Sequence, residues 1–267
     1  MTGIEVVARR EEVLSKLADD PLHKCDITDR LDISRSTVDR SVRELEGAGL
    51  VERQPEGYAA TLLGTLALSC FRTYREESRK LFEAETALDP LPAGCDLPLD
   101  FVSHAETLVA ADPVPYRPME KVHDAITAAE EFRILLPVLY DPRFLERCYE
   151  HAVEQGNPAS LVIDESVVET AKEEFPDQTA EKMACEWFSA WSGETPPYGL
   201  LLTTRDGETS ACVIVFSESL GPVHAVLHTT HPTAVQWAKE EFEAAVKAAN
   251  PSPNEPTEGE APEESEA

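Results

Sequence analysis

Residues 34 to 43 hold the densest chemistry in the chain: Ser34, Arg35, Ser36 and Thr37, followed by Arg40 and Arg43. A guanidinium fork matches the paired O6 and N7 acceptors of guanine and the oxygens of a phosphate, so arginines at this density point to nucleic-acid recognition. Hydroxyls and free N–H groups at a helix start suit phosphate as well. For these groups to work together they must share a helix face. At about 100° per residue, Val38, Val42 and Leu45 fall in one narrow arc, with Ser36, Arg40 and Arg43 roughly opposite. Ser34 or Ser36 caps the start, and Gly49 marks the stop. The segment therefore predicts a helix with one buried face and one face free to enter a DNA groove.

The flanking elements complete a winged helix-turn-helix over residues 1–62. A helix of about Lys24 to Leu31 buries Ile27 and Leu31, and an earlier one from Ile4 to Leu17 buries Val6, Val13 and Leu17 with Leu14 beside them. Val51 to Gln54, the Glu56-Gly57 turn and Tyr58 to Thr61 read as a short hairpin, the wing. The candidate DNA-binding residues are Ser34, Arg35, Ser36, Thr37, Arg40 and Arg43 on the recognition helix, with Arg53 and Tyr58 on the wing. Double-stranded DNA is the expected partner. The alternative is a winged-helix interaction module of the transcription machinery without direct DNA binding, because exposed arginine is also ordinary solvated surface.

Composition sets the environment. The chain of 267 residues carries 51 acidic against 23 basic side chains, a net charge of −28. Such a surface suits a cytoplasm at molar salt, where repulsion is screened within ~3 Å. A halophilic archaeon is the natural source. The charge is uneven: residues 1–90 hold 13 basic and 18 acidic groups, residues 91–250 hold 10 and 27, and the rest hold 0 and 6. The least acidic third is the winged-helix third. DNA affinity ordinarily falls as salt rises; here cations held between carboxylates and phosphates are expected to supply missing positive charge, so that binding persists in high salt. No run of 18 apolar residues and no signal-peptide pattern is present, which predicts a soluble, cytoplasmic chain without membrane contact. Six cysteines, none in a C-x-x-C pair, argue against a zinc knuckle or a disulfide framework. Most read as small core residues, with a redox-sensing thiol as the alternative.

Residues 63–90 read as a linker helix in which Ala67, Tyr74, Leu81 and Leu88 recur every seven residues, with Cys70, Glu77 and Ala84 between them. Glu77 interrupts the seam, so packing on the chain's own effector domain and homodimer formation both stay open. A homodimer would present two recognition helices to a two-fold operator. A proline-rich joint from Pro90 to Pro118 follows. Residues 91–249 then read as a mixed α/β effector domain: helix Met119 to Ala129, strand Phe132 to Leu136, helix Pro142 to Glu154, strand Ser160 to Ile163 and helix Ser166 to Glu174. This alternation predicts parallel pairing. Gly199 to Thr204, Ser210 to Phe216 and Val223 to Thr229 read as antiparallel strands, with Asp206-Gly207 as a hairpin turn and Ser219 to Pro222 as the second connection. A last helix covers Thr233 to Ala249. Residues 250–267 read as a disordered acidic tail. The predicted class is thus α+β with an α/β effector half.

Val13-Leu14 through Leu17, Ile27 to Leu31, Ser34-Arg35-Ser36-Thr37-Val38, Leu45, Gly49-Leu50-Val51-Glu52-Arg53 and Gly57-Tyr58 resemble archaeal winged-helix transcription regulators. Leu97-Pro98-Leu99-Asp100-Phe101, Tyr116-Arg117-Pro118, Leu136-Pro137-Val138 and Trp237-Ala238 resemble the effector half of the methanogenesis-regulator-like branch, common in haloarchaea. The resemblance covers most of residues 1–250 and implies a regulator whose effector domain looks like a phospholipase D fold. The catalytic signature of that fold needs Lys two residues after His, and none of the seven histidines has it. No P-loop, G-x-S-x-G or G-x-G-x-x-G is present either. An enzyme, a catalytic residue, a cofactor and a metal are therefore not expected. A small-molecule effector is expected, its ligand residues undefined. Two constellations stay open: His224, His228 and His231 as a solvated strand face, a ligand wall or a metal set, and Trp187, Phe188 and Trp191 as a core or lid ridge on one helix. The strand end Leu136 to Tyr140, ahead of the helix that starts near Asp141, is where an α/β fold tends to place a ligand.

Overall fold

The computed structural model describes residues 3–139, 142–174, 187–217 and 223–251. The acidic tail beyond 251, Tyr140 and Asp141, the Ser219 to Pro222 connection and Cys185 lie outside the described residues. The chain divides into two compact units, residues 1–79 and 80–267.

The first unit is a winged helix-turn-helix. Helices α1 (Gly3–Asp19), α2 (Lys24–Leu31) and α3 (Arg35–Gly47) enclose Val6, Val7, Leu14, Leu17, Ile27, Val38, Val42 and Leu45, all nearly inaccessible. Apolar residues recur at helical spacing on each helix, and the core is where the three stripes meet. Arg10 leaves helical geometry at φ −120° and ψ 21°, a kink within α1, while Val6 and Val13, and Val7 and Leu14, keep the seven-residue spacing that puts each pair on one face. Strands β1 (Val51–Gln54) and β2 (Gly57–Ala60) pair antiparallel as the wing, and Leu22 bridges to Tyr58 as a third edge. A Cβ on Gly57 would stand 2.4 Å from the Leu22 carbonyl carbon, so only glycine lets that edge dock. The Thr61 hydroxyl donates to the Gly49 carbonyl at 2.7 Å and accepts from the Gly64 amide at 3.0 Å. It thereby caps α4 (Leu62–Glu83), of which Gly64 and Leu68 are buried.

The linker reading changes in detail. The helix ends at Glu83, and a separate turn, α5 (Glu85–Leu88), follows. Ala67 packs against the first unit's core, whereas Ala84 belongs to a core of the second and Leu88 packs against it. Tyr74, in the middle of the seven-residue repeat, is exposed.

The second unit is a mixed sheet with helices on both faces. Its strands are β3 (Glu106–Val109), β4 (Glu131–Leu136), β5 (Ala159–Asp164), β6 (Phe188–Gly193), β7 (Gly199–Arg205), β8 (Glu208–Val215), β9 (Ala225–Thr229) and β10 (Asn250–Pro251). They run in the order β10-β6-β5-β4-β7-β8-β9-β3. β4, β5 and β6 are parallel, and the remaining pairs are antiparallel. Strand alternation divides the core. Phe132, Ile134, Leu201, Cys212 and Val226 face one side with α7 (Arg117–Thr127) and α8 (Pro142–Gln155). Leu135, Val162, Leu200, Val213 and Leu227 face the other with α6 (Leu99–His104) and α10 (Pro232–Ala248). Helix α9 (Glu165–Glu174) links β5 towards β6.

Two elements differ from the sequence reading. Trp187, Phe188 and Trp191 do not form a helical ridge: residues 188–193 are β6, parallel to β5. Phe188 enters the α7/α8 core and Trp191 packs against the opposite one, as a period of two requires. The proline-rich joint holds α6 and β3, each too short to declare itself by periodicity. Among the cysteines, Cys148 and Cys212 are core residues whose thiols burial pushes up to about 12, whereas Cys25 and Cys70 are exposed.

Candidate nucleic-acid interface

Helix α3 takes shape from its first residue. The Ser34 hydroxyl accepts from the Thr37 amide at 3.2 Å and shares hydrogen bonds with the Ser36 and Thr37 hydroxyls at 2.9 and 2.8 Å. These three side chains form one exposed hydroxyl cluster at the helix start. Ser41 is buried and returns its hydroxyl to the Thr37 carbonyl, so the inner face is closed. Ser36, Arg40 and Arg43 are exposed on the other face, the division that periodicity predicts.

The arginines are not equivalent. Arg40 donates to Glu44 at 3.0 Å, and Glu44 also receives Arg10 from α1 at 2.9 Å. Hydrogen bonds from Arg10 and then Arg40 hold the Glu44 carboxyl down to about 2. Lys24 at the start of α2 pairs with Asp39 at 2.8 Å and lies 5.4 Å from the Tyr58 ring centre. That hydrogen bond, ahead of the fields of Arg35 and Arg43, holds the Asp39 carboxyl below its ordinary range. Arg72 and Arg75 on α4 are drawn to Glu11 of α1. Among the described residues, no carboxylate lies within ion-pair distance of Arg35, Arg43 or Arg53.

Arg35 and Arg53 line one open groove of about 630 Å³ between the α2 and α3 starts and the wing, together with His23, Lys24, Thr28 and Tyr58. Tyr58 is half-buried; its backbone pairs with Leu22 at 2.8 and 2.9 Å, and its ring forms the groove wall beneath Lys24. Sequence reasoning missed His23, Lys24 and Thr28. The signal was available, since a helix N-terminus adjoining the turn lies beside the recognition helix in any such fold.

In the second unit, the histidine trio read from sequence separates. His224 is buried and bonds the Thr86 carbonyl at 2.8 Å. His228 lines a polar groove of about 400 Å³ with Lys121, Thr203 and Ser210; burial, then the Lys121 charge, lowers its pKa. His231 instead meets Asp100 and His104. The strand end at Leu136, Val138 and Leu139 lines a small apolar cavity of about 30 Å³, which has room for about one water. No helix among the described residues is long and apolar enough to cross a membrane.

With that geometry in view, the family comparison is direct. The model of the methanogenesis regulatory protein FilR1, middle domain, matches residues 115–248, and the model of the HVO_A0261 N-terminal domain matches residues 4–80. The chain belongs to the FilR1 middle-domain family, a family of regulators, as its resemblance to haloarchaeal regulators implied. No curated protein matches the sequence. TrmBL2, described as an archaeal chromatin protein with a novel mode of DNA binding, is 14% identical, with 93% of this chain and 98% of its own covered at a TM-score of 0.39. NucT from Helicobacter pylori is 10% identical, with 55% of this chain and 98% of its own covered at 0.39. The polyphosphate kinase of Porphyromonas gingivalis is 10% identical, with 62% and 26% covered at 0.41.

Proposed function

We propose that this regulator binds promoter DNA through α3 and the wing, and that its second unit holds a small metabolite that shifts DNA affinity. The observation that carries the reading is the selective freedom of Arg35, Arg43 and Arg53. In a unit whose other described arginines are mostly engaged by carboxylates, these three stay exposed without one. A guanidinium left free amid an acid excess serves an anion brought from outside. Arg43 is the base reader, Arg35 and Arg53 with the Ser34, Ser36 and Thr37 hydroxyls hold phosphate, and Tyr58 walls the groove. Arg40 reads a base only after leaving Glu44.

The metabolite reading draws support from the polar groove around Lys121 and His228. Leu62, Leu63, Leu66, Tyr74 and Phe82 are exposed on α4, an apolar content that supports a homodimer through this helix. The setting is the cytoplasm of a haloarchaeon.

The test is fluorescence anisotropy of the full chain on duplexes from its own promoter region in molar KCl. Arg43→Ala is expected to weaken specific binding about 10- to 100-fold, the equivalent of about 1–3 kcal/mol. Unchanged affinity would remove the recognition-helix reading. Between about 0.2 and about 3 M KCl the wild-type affinity is expected to hold within about tenfold, because cations bridge carboxylates to phosphates. A steep linear fall in log affinity with log salt overturns that cation bridge while leaving DNA binding standing.

A further inference from the structure

The second unit contains a cluster that neither the DNA contact nor the metabolite groove uses. Asp100 and His104 are one turn apart on α6, the spacing that puts side chains on one helix face. His231, the residue before α10, joins them, and one ligand atom from each of the three lies within 4.8 Å of the others. The two imidazole rings stack with centres 3.6 Å apart and planes 13° from parallel. We propose that Asp100, His104 and His231 bind one divalent transition-metal ion of the Zn²⁺, Co²⁺ or Ni²⁺ class.

Three observations carry this inference. First, Oδ2 of Asp100 and Nδ1 of His231 are buried atoms without a hydrogen-bond partner among the described residues. A buried lone pair without a donor is costly, and a cation satisfies both atoms at once. Second, the hydrogen bonding of His104 suits a ligand. Its Nδ1 lies 2.8 Å from the Asp100 carbonyl, which can only accept, and 3.4 Å from Asp100 Oδ1, so in the neutral ring Nδ1 is the donor and Nε2 the nitrogen left to bind a metal. A ligating histidine ordinarily donates its other N–H to such an oxygen.

Third, the surroundings hold the cluster together. The buried Thr229 hydroxyl donates to the His104 carbonyl at 2.9 Å and accepts from the His231 amide at 3.0 Å, so one side chain ties both histidine backbones. Phe101 on α6 meets Trp237 on α10 edge-on, with ring centres 5.2 Å apart, which fixes the two helices that supply the ligands.

Two imidazoles and one carboxylate select a borderline metal over Mg²⁺ or Ca²⁺, which prefer all-oxygen shells. Bonds of ~2.0–2.2 Å require the donors to close in and one stacked ring to turn, a motion about the soft terminal torsion of histidine. Three protein ligands leave a fourth position for water or another small donor. Such an ion would clasp α6 to the start of α10.

The full chain, free of metal, is titrated with Co²⁺, whose visible ligand-field absorption reports low coordination number. A saturable band at one Co²⁺ per chain is expected, bleached by one equivalent of Zn²⁺ and indifferent to excess Mg²⁺. His231→Ala is expected to weaken Co²⁺ binding more than ~100-fold, and Thr229→Val, which removes only the clasp, ~10- to 100-fold. His123→Ala on α7 should leave the band unchanged. His104→Gln repeats the test at a more exposed ligand if His231→Ala does not fold by circular dichroism. A missing band, or one retained in both histidine variants, shows that cations merely collect on the acidic surface and overturns the site. DNA takes no part in the experiment.

Discussion

The two units place their arginines differently. In the second, the described ion pairs of Arg133 and Arg205 are local, with Glu131 and Asp206, and simply offset a neighbouring charge. In the first, beside local pairs such as Arg40 with Glu44 and Arg79 with Glu76, others reach between helices: Arg10 to Glu44, and Arg72 and Arg75 to Glu11. Arg35, Arg43 and Arg53, on the recognition helix and the wing, have no carboxylate within ion-pair distance among the described residues. Total charge hides this arrangement, because residues 1–90 are themselves net acidic. What matters for an anionic partner is which guanidiniums the carboxylates leave alone. The comparison breaks most sharply with two multiple variants. Arg35→Ala/Arg43→Ala/Arg53→Ala is expected to lower promoter affinity at least ~1000-fold, about 4 kcal/mol, whereas Arg133→Ala/Arg205→Ala should change it less than ~2-fold. Equal losses in the anisotropy titration would mean that diffuse charge, not placement, governs binding.

A second contrast concerns backbone. Gly57 in the wing has φ +133° and no room for a Cβ beside Leu22, whereas Gly207 in the β7–β8 hairpin has φ +77° and open space around it. Gly57→Ala must push apart the Leu22 and Tyr58 edge strands, with an expected destabilisation of about 3 kcal/mol. Gly207→Ala meets only the left-handed penalty, about 1 kcal/mol. Thermal unfolding of both variants in molar KCl measures the gap. Equal midpoints would show that the wing edge relaxes freely.

The elements of the first unit were legible because its helices are amphipathic and its turns carry their own signals: the Ser34 cap, Gly49 at φ +72° and the Gly57 turn. β4, β5, β7, β8 and β9 were legible as continuous apolar runs, since a sheet covered on both faces has no polar side. Phe188 to Gly193 misled because aromatics spaced three and four apart also fit a strand when flanking residues leave both faces half-buried. The cluster at Asp100 was invisible for a different reason. Thr229 and His104 are 125 positions apart, and only the β3–β9 pairing brings them together. The sequence trio of histidines looked local, yet the chain sends His224 to Thr86 and His228 to another groove.

A subtler comparison lies within α3 itself. Arg40 and Arg43 are both exposed, but Glu44 engages only Arg40. Arg40→Ala removes a side chain that must first break an ion pair to reach a base, so its expected loss of affinity is below ~10-fold and smaller than that of Arg43→Ala. A larger loss at Arg40 would reverse the assignment and make Glu44 a guide that aims Arg40 at the duplex.

Glu44 carries the smallest effect and the clearest sign. Its carboxyl titrates near 2 in the folded chain against an ordinary 4.5, so the unfolded chain takes up that proton first as pH falls. The stabilisation from Arg10 and Arg40 is fully present above about 4.5 and is lost as pH drops towards about 2. Glu44→Gln cannot ionise and lacks the contribution throughout. Unfolding midpoints of the two proteins should therefore differ most near neutrality and converge across that acid window. Parallel curves from pH 7 to pH 2 would show that the Arg10 contact to α1 holds equally well to an uncharged amide, and that shape rather than charge docks α3 against α1.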